Sequence, residues 1–372
     1  MVIKMKIAIL TPYSLKEWGG VENWIFQIAE LLSKKHEVTV VSNGLIFKKR
    51  IEFLPEHSFK YYEIKTPAIN TKPSIIFLKV PDSIKNYDII YLYHTSLFYS
   101  YQVLSIFKQP VILGVHSELL LPITFDFLKK CYIFCFHLLS KKATKIACRS
   151  RNQIEYLHNQ FDIKQDKLFL NRPFIDLNKY KPTNSKKHFS IIFVGRFVEG
   201  KGITTLIKSI NYLPNDVNII FVGSGDKSFE LIIDKLSKSH SNVIWTGVLT
   251  GKKLYDLFAN SSVLVNPSRS EAFPNVVLQS LASGTPVILS KIPAHEELAA
   301  LLPEGTYSLF SYGNALELAH EIKKWKKLID INANQYKEIC VKSHSFIKYN
   351  FSANYVIQSF ESMIKEVLMN EK

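Results

Sequence analysis

The sequence predicts an α/β fold of two doubly wound halves, each a parallel sheet covered by helices on both faces. Three observations point there. The chain has 372 residues, more than one hydrophobic core usually serves, so two domains of roughly 150–200 residues each are expected. Its strand-like segments are continuous apolar runs, as parallel strands buried on both faces require. These runs alternate with segments whose apolar residues recur at helical spacing, and the alternation occurs twice with a polar stretch between.

In the first half, "KIAIL" (6–10) reads as a buried strand. "GGVENWIFQIAELLSKK" (19–35) reads as a helix, with Val21, Trp24, Ile25, Ile28, Leu31 and Leu32 at helical spacing. Further strands are expected at 37–42, 87–94, 110–116 and 144–150. The polar stretch "NRPFIDLNKYKPTNSKKH" (171–188) reads as the interdomain connection. The second half gives strands at 189–195, 217–223, 242–247, 262–268 and 285–290, and helices at 203–212, 227–239, 251–260, 274–283 and 314–328. The tail from about residue 332 reads as helical, and no repeat of solenoid period is present. A cleft between two such halves is the expected ligand site.

Hydrophobic residues make up 47% of the chain and charged residues 21%, a composition that folds. The formal charge of +15 points to an anionic partner: a phosphorylated ligand or anionic lipid, with a plain solvated basic surface as the alternative. No zinc finger, basic zipper or RNA-recognition motif is present, so nucleic acid is not expected. The cysteines, Cys131, Cys135, Cys148 and Cys340, form no CxxC pair and no metal pattern, and read as buried apolar residues in a reducing cytosol. The opening "MVIKMKIAIL" lacks the long apolar region of a signal peptide, and no apolar run approaches the ~20 residues of a membrane span. A cytoplasmic location is expected.

Four stretches carry candidate chemistry. In "WGGVE", Gly19 and Gly20 open the first helix directly after the first strand, where free N–H groups and the positive helix end suit an anion. A tight turn is the alternative, and the pattern is not GxGxxG, so a nicotinamide cofactor is not supported. In "VGRFVEGKG" (194–202), Arg196 and Lys201 follow a strand end within a glycine-containing loop, which suits a diphosphate, with ordinary loop charge as the alternative. "VGSGD" (222–226) repeats the strand-then-glycine pattern and lets a ligand lie against the backbone at Gly223. In "SRSEAFPNVVLQSLASGTPVI" (268–288), Pro274 is placed for the first helical position and Gly284 for the C-terminal cap. The N–H groups of Phe273, Asn275 and Val276 then face an anion, and Glu271 suits sugar hydroxyls, with pairing to Arg269 as its alternative. His94 and His116 end two first-half strands; each either faces the cleft or makes a structural hydrogen bond.

In this order these motifs resemble glycosyltransferase family 4, the retaining GT-B glycosyltransferases. The resemblance covers nearly the whole chain, adding "VILGVHSE", "NRPFID" and "TGVLT" to the stretches above. It implies a GT-B fold: an acceptor-side domain over 1–175, a nucleotide-sugar domain over 176–350, and a C-terminal helix, 351–372, packing back towards the first domain. It also implies roles. Arg196 and Lys201 would hold the donor diphosphate and stabilise it as the leaving group. Gly20 would approach that diphosphate, His116 would sit near the transferred sugar, and Glu271 would contact sugar hydroxyls. The Phe273–Val276 backbone would meet phosphate, position 279 the ribose, and Gly247 and Val248 the base. The family transfers without a divalent metal and with retention, so an α-linked donor would give an α-glycoside. No Asp-x-Asp is present here. No cofactor is expected beyond the nucleotide-diphosphate sugar itself. The acceptor would be a glycan or lipid-linked glycan. A sugar-nucleotide 2-epimerase and a non-catalytic nucleotide- or membrane-binding relative are the alternative functions.

The chain departs from the family pattern at Gln279, where a glutamate is usual, at "NRPFID", and at "SKIPAHEEL" (290–298). The amide of Gln279 still accepts a ribose hydroxyl proton, through a neutral and weaker bond. The stretch "LPITFDFLKKCYIFCFHLLSKKATK" (121–145) joins aromatic residues to Lys129, Lys130, Lys141 and Lys142. It suits an anionic membrane surface, with a buried helix rimmed by solvated lysines as the alternative.

Overall fold

The computed structural model describes residues 4–16, 20–45, 54–64, 80–94, 96–116, 125–183 and 188–369. The chain forms two compact units. One runs to Pro173 and includes the segment from Val356; the other is Phe174–Tyr355. Gly19 and residues 121–124 of the basic-aromatic stretch lie outside the described residues.

The first unit contains β1 (Lys6–Tyr13), α1 (Gly20–Ser33), β2 (Glu37–Leu45), β3 (Lys60–Glu63), β4 (Ile89–Tyr93), α2 (Leu97–Ile106), β5 (Val111–Val115), α3 (Asp126–Lys142), β6 (Lys145–Cys148), α4 (Arg151–Phe161) and β7 (Leu168–Leu170). Its strands pair in parallel in the order β3-β2-β1-β4-β5-β6-β7. The order reverses between β1 and β4, the kind of position where open α/β sheets bind ligands at their carboxyl edge. Every residue of β4 and β5 is buried, which is why these strands read as unbroken apolar runs. Local signals set the helix starts: Ser96 accepts the Tyr99 N–H at the start of α2, and Ser150 accepts the Gln153 N–H at the start of α4.

The second unit contains β8 (Ser190–Val194), α5 (Ile203–Ile210), β9 (Asn218–Val222), α6 (Lys227–Ser239), β10 (Val243–Trp245), α7 (Gly251–Asn260), β11 (Val263–Asn266), α8 (Asn275–Ala282), β12 (Val287–Ser290), α9 (Pro293–Ala299), β13 (Tyr307–Phe310), α10 (Ala315–Ile331) and α11 (Ala333–Asn350). The sheet is parallel in the order β10-β9-β8-β11-β12-β13, reversing between β8 and β11. Alternate residues feed two cores. Ile191, Phe193, Ile219, Phe221, Val263 and Val265 pack on one face. Ile192, Ile220, Val222, Leu264, Val287 and Leu289 pack on the other. A sheet buried on both faces leaves no polar alternation for its sequence to show.

The final helix, α12 (Ala353–Met369), buries Phe360, Met363, Ile364 and Val367. Within the first unit, Phe360 packs on Tyr91 at 5.3 Å, Glu361 pairs with Lys35 at 3.0 Å and Glu366 with Lys145 at 2.6 Å.

Several sequence expectations need correction. The change of unit falls inside the polar stretch 171–188, where the interdomain connection is expected, and Asn171, Phe174, Ile175 and Tyr180 of that stretch are buried. Pro274 immediately precedes α8 rather than occupying its first turn, while Gly284 does end it with a positive φ of 72°. Cys131 and Cys135 are exposed, because they lie on the outward side of α3. Of the two readings open for His94, the structure takes the structural hydrogen bond. His94 is 2% exposed, with Nδ1 2.7 Å from the Ser100 hydroxyl and Nε2 3.2 Å from the Tyr132 hydroxyl.

Burial lowers the His94 pKa from 6.5 to about 4. The unfolded chain therefore takes up this proton before the folded one does. Stability present above pH 6.5 falls as pH drops through the His94 pKa, by an amount on the order of 3 kcal/mol at most. Urea unfolding at pH 7 and pH 4 checks this: His94→Gln should lose less stability between the two than the native chain, and an equal loss removes His94 as the source.

Candidate active site

The loops after β8 and β11 leave the second sheet at its reversal point and are fastened to each other. Gly202 has φ 69°, and a Cβ there would collide with the Pro267 carbonyl oxygen. The N–H of Arg269 donates to the Gly200 carbonyl at 3.0 Å. This close approach brings the β8 loop's Lys201 to the β11 loop's Glu271, with Nζ 2.7 Å from Oε1. The single proton of the Ser268 hydroxyl is shared between the same Oε1 at 2.8 Å and Asn266 Oδ1 at 2.7 Å. The alternative partner for Glu271, Arg269, is not the one it takes in the structure. Both members of the pair are mostly buried, at 28% and 11% side-chain exposure, so the attraction is screened less than at an open surface.

Arg196 lies exposed in the same loop. Beside it, Gly223 has φ 137° and donates its N–H to the Gly247 carbonyl at 2.8 Å; a Cβ on Gly223 would strike the Gly195 carbonyl oxygen. The glycines thus let the carboxyl ends of β8, β9 and β10 lie backbone against backbone. Val248 follows, 61% exposed.

The three amides expected to face an anion are not equivalent. The Asn275 N–H already donates to the Phe273 carbonyl at 3.0 Å. Those of Phe273 and Val276 take no acceptor among the described residues. Gln279 is half-buried on α8, near Tyr180, a buried residue the sequence did not single out.

Two further residues join this corner. His295 is fully buried, with Nδ1 2.9 Å from the Ser290 carbonyl oxygen and Nε2 unpartnered. Burial lowers its pKa to about 4, against the opposing effects of the Ser290 bond and Glu271. Ser268 and His295 escaped sequence reading because each sits in a short polar run whose three-dimensional neighbours come from other loops.

In the first unit, Gly20 opens α1. His116 follows β5, its ring against Trp24 at 4.4 Å and Tyr93 at 4.7 Å. Nε2 is 2.7 Å from the Tyr91 hydroxyl, and Nδ1 is 3.0 Å from Arg149 Nη2. A guanidinium only donates, so Nδ1 accepts and Nε2 carries the proton. Burial first and Arg149 second hold the imidazole neutral. Gly114 makes this possible, since a Cβ there would clash with the Tyr91 ring. A sugar hydroxyl that bonds a ring nitrogen of His116 must displace one of these partners.

Two family models match the chain: "Glycosyltransferase Family 4" over residues 18–179 and "Glycosyl transferases group 1" over 188–326. The chain belongs to this glycosyltransferase family. It is similar to an uncharacterized 41.2 kDa protein in the cps region of Klebsiella pneumoniae, 26% identical over 89% of this chain and 98% of that protein. It is 23% identical to a GDP-mannose-dependent alpha-mannosyltransferase of Corynebacterium glutamicum, over 76% of this chain and 72% of that one. The fold of this glycosyltransferase resembles that of sucrose-phosphate synthase from Thermosynechococcus elongatus, with a TM-score of 0.78 at 15% identity over 99% and 100% of the chains. It also resembles Anabaena HepE, solved with UDP and glucose, with a TM-score of 0.77 at 17% identity over 97% and 99%. The architecture is GT-B: two parallel-sheet, Rossmann-like domains.

The pairing of Lys201 with Glu271 predicts energetic coupling in this glycosyltransferase. In urea unfolding, a double-mutant cycle of Lys201→Met and Glu271→Gln should give a coupling of about 1 kcal/mol or more. Additive effects would mean that the two side chains act independently.

Proposed function

We propose that this glycosyltransferase moves a sugar from a nucleotide-diphosphate sugar to a surface-glycan or lipid-linked acceptor, with retention of configuration and without a metal ion. The observation that carries the reading is the Lys201–Glu271 pair at the reversal point of the second sheet. It sets a cation suited to diphosphate beside a carboxylate suited to hydroxyls. HepE, of the same fold, is solved with UDP-glucose, and the Klebsiella relative lies in a cps region; both favour this reading.

In the reaction, Arg196 and Lys201 meet the negative charge that grows on the departing diphosphate, as fixed donors stabilise developing charge. Lys201 then exchanges Glu271 for phosphate, and Glu271 turns to the sugar hydroxyls. Attack comes from the face the diphosphate leaves, and the leaving phosphate takes the acceptor hydroxyl's proton. Phe273 and Val276 offer N–H groups to phosphate. Gly20 and Gly223 bring backbone close to the donor, Gln279 accepts a ribose hydroxyl, and Val248 flanks the base. His116, neutral, lies near the transferred sugar.

The acceptor class also explains the surface of α3. Phe127 is 74% exposed and Phe134 62%, with Phe125, Leu128 and Leu138 exposed beside them. Lys130, Lys141 and Lys142 share this surface, and Lys142 Nζ lies 4.8 Å over the ring of exposed Tyr101 on α2. Aromatic residues ringed by lysines suit the headgroup region of an anionic bilayer, at about 1 kcal/mol per lysine. The proposed association is peripheral, on the cytoplasmic face of the membrane; no described helix is long and apolar enough to cross one.

Three measurements test the proposal. In a thermal-shift panel of sugar nucleotides, the donor at 100 times its dissociation constant should stabilise the chain by about 2.7 kcal/mol, and Lys201→Met should remove most of the shift; no response to any sugar nucleotide sinks the reading. Nucleotide release should depend on an acceptor, which separates transfer from epimerisation, and Gln279→Ala should raise the donor KM by roughly 2–10-fold. The protein should sediment with phosphatidylglycerol vesicles and not with phosphatidylcholine vesicles. Combined Phe127→Asp and Phe134→Asp should abolish that binding, whereas undiminished sedimentation of the variant places the lipid contact elsewhere.

A further inference from the structure

We infer that Arg149 forms one side of a phosphoryl-binding site at the carboxyl edge of the first unit's sheet. Arg149 directly follows β6, and its side chain is enclosed at 5% exposure. Nη2 donates to His116 Nδ1, and the guanidinium lies 4.1 Å from the centre of the Trp24 ring. No carboxylate among the described residues pairs with it. Among the described residues, the carboxylate whose charge reaches this cluster is Glu22, which acts on Tyr13 and Tyr93. Burial lowers the Arg149 pKa only to about 10, so the group stays charged at neutral pH.

A buried cation without a counter-charge is costly, and proteins normally pair such groups. The imbalance here is specific. Arg149 Nη1 is buried and has no hydrogen-bond partner, and neither has Trp24 Nε1, on the ring stacked against it. Both are donors. The one orphaned acceptor of the cluster is Asn171 Oδ1, whose amide nitrogen lies 3.4 Å from the Tyr91 hydroxyl. Trp24 stands one turn into α1, whose N-terminus begins at Gly20 and adds further N–H groups and a positive dipole end. Two unpartnered donors, one from the residue after β6 and one from α1, therefore lie in the same buried cluster.

A phosphoryl group fits these donors best. It is tetrahedral, carries its charge over several oxygens, and accepts hydrogen bonds from several directions, whereas a carboxylate offers two oxygens in one plane. The guanidinium fork supplies directional donors that a lysine lacks. On the transferase reading, on which only the source of the group rests, two substrates carry such a group: the donor, through its diphosphate, and a phosphate-linked acceptor.

Inorganic phosphate is the probe, and thermal unfolding is the readout. The background is Arg196→Ala with Lys201→Ala, which disables the second unit's phosphate-binding cations. Phosphate at ten times its dissociation constant should raise the midpoint by roughly 3–6 °C, and adding Arg149→Met should abolish the rise. Without phosphate, Arg149→Met should leave the midpoint unchanged or higher, because it removes an uncompensated charge. A structural arginine would lower it instead, and that result overturns the site, as does a phosphate response that survives the substitution. Arg149→Lys keeps the charge without the fork, and should shift the phosphate midpoint to about tenfold higher concentration. Repeating the titration on the native chain saturated with its nucleoside diphosphate identifies the source: a surviving Arg149-dependent response assigns the group to the acceptor, and a lost one to the donor. If sugar nucleotides bind but Arg149 gives no phosphate response, the site fails while the transferase reading stands.

Discussion

The close approach of two loops at the reversal point of the second sheet decides the chemistry of this unit. Gly202 presses its backbone against the Pro267 carbonyl, and the Arg269 N–H closes on Gly200. Only a residue without a side chain fits there, and only with a positive φ. Lys201 and Glu271 are consequences of that contact. Seventy positions apart in the chain, they are held at 2.7 Å because neither loop can move without the other. The Ser268 hydroxyl bridges Glu271 to Asn266, so the carboxylate is held by a side chain of its own loop as well as by Lys201.

The first unit handles charge differently. Around His116 the polar groups of β4, β5 and β6 form a buried set in which hydrogen bonds fix the tautomer and leave the imidazole uncharged. Gly114 is the enabling residue, since it gives the Tyr91 ring room to reach that histidine. Where the second unit matches cation to carboxylate, this cluster holds a cation that no carboxylate among the described residues pairs with. A net charge of +15 therefore has at least two local expressions besides general solubility: an enclosed guanidinium, and the lysines of α3 around exposed aromatic rings.

The principal strands and most helices were legible because burial on both sheet faces imposes unbroken apolar runs, as in "SIIFV" and "NIIFV". The elements that escaped have physical reasons. β3 reads "KYYE" and alternates exposed with half-buried residues at the sheet edge, so it presents no apolar run. β7 is three half-buried residues at the other edge. The helix α2, "LFYSYQVLSI", carries apolar residues on both its buried and exposed sides, which hides its period. The same ambiguity misplaced Cys131 and Cys135: apolar spacing on α3 reads as core, while the structure turns much of that surface outward.

By itself the sequence determined the class of fold, the glycine and cation loops at strand ends, and the resemblance to a glycosyltransferase family, because these depend on local spacing and on backbone positions that demand glycine. Only the tertiary structure decided which side chains meet. It gave Glu271 to Lys201 rather than to Arg269, took His94 into the core, and set Arg149 beside His116. Partners of this kind come from loops and strands far apart in the chain, and their meeting is fixed by sheet order and by where backbones can touch, which no local pattern of residues encodes.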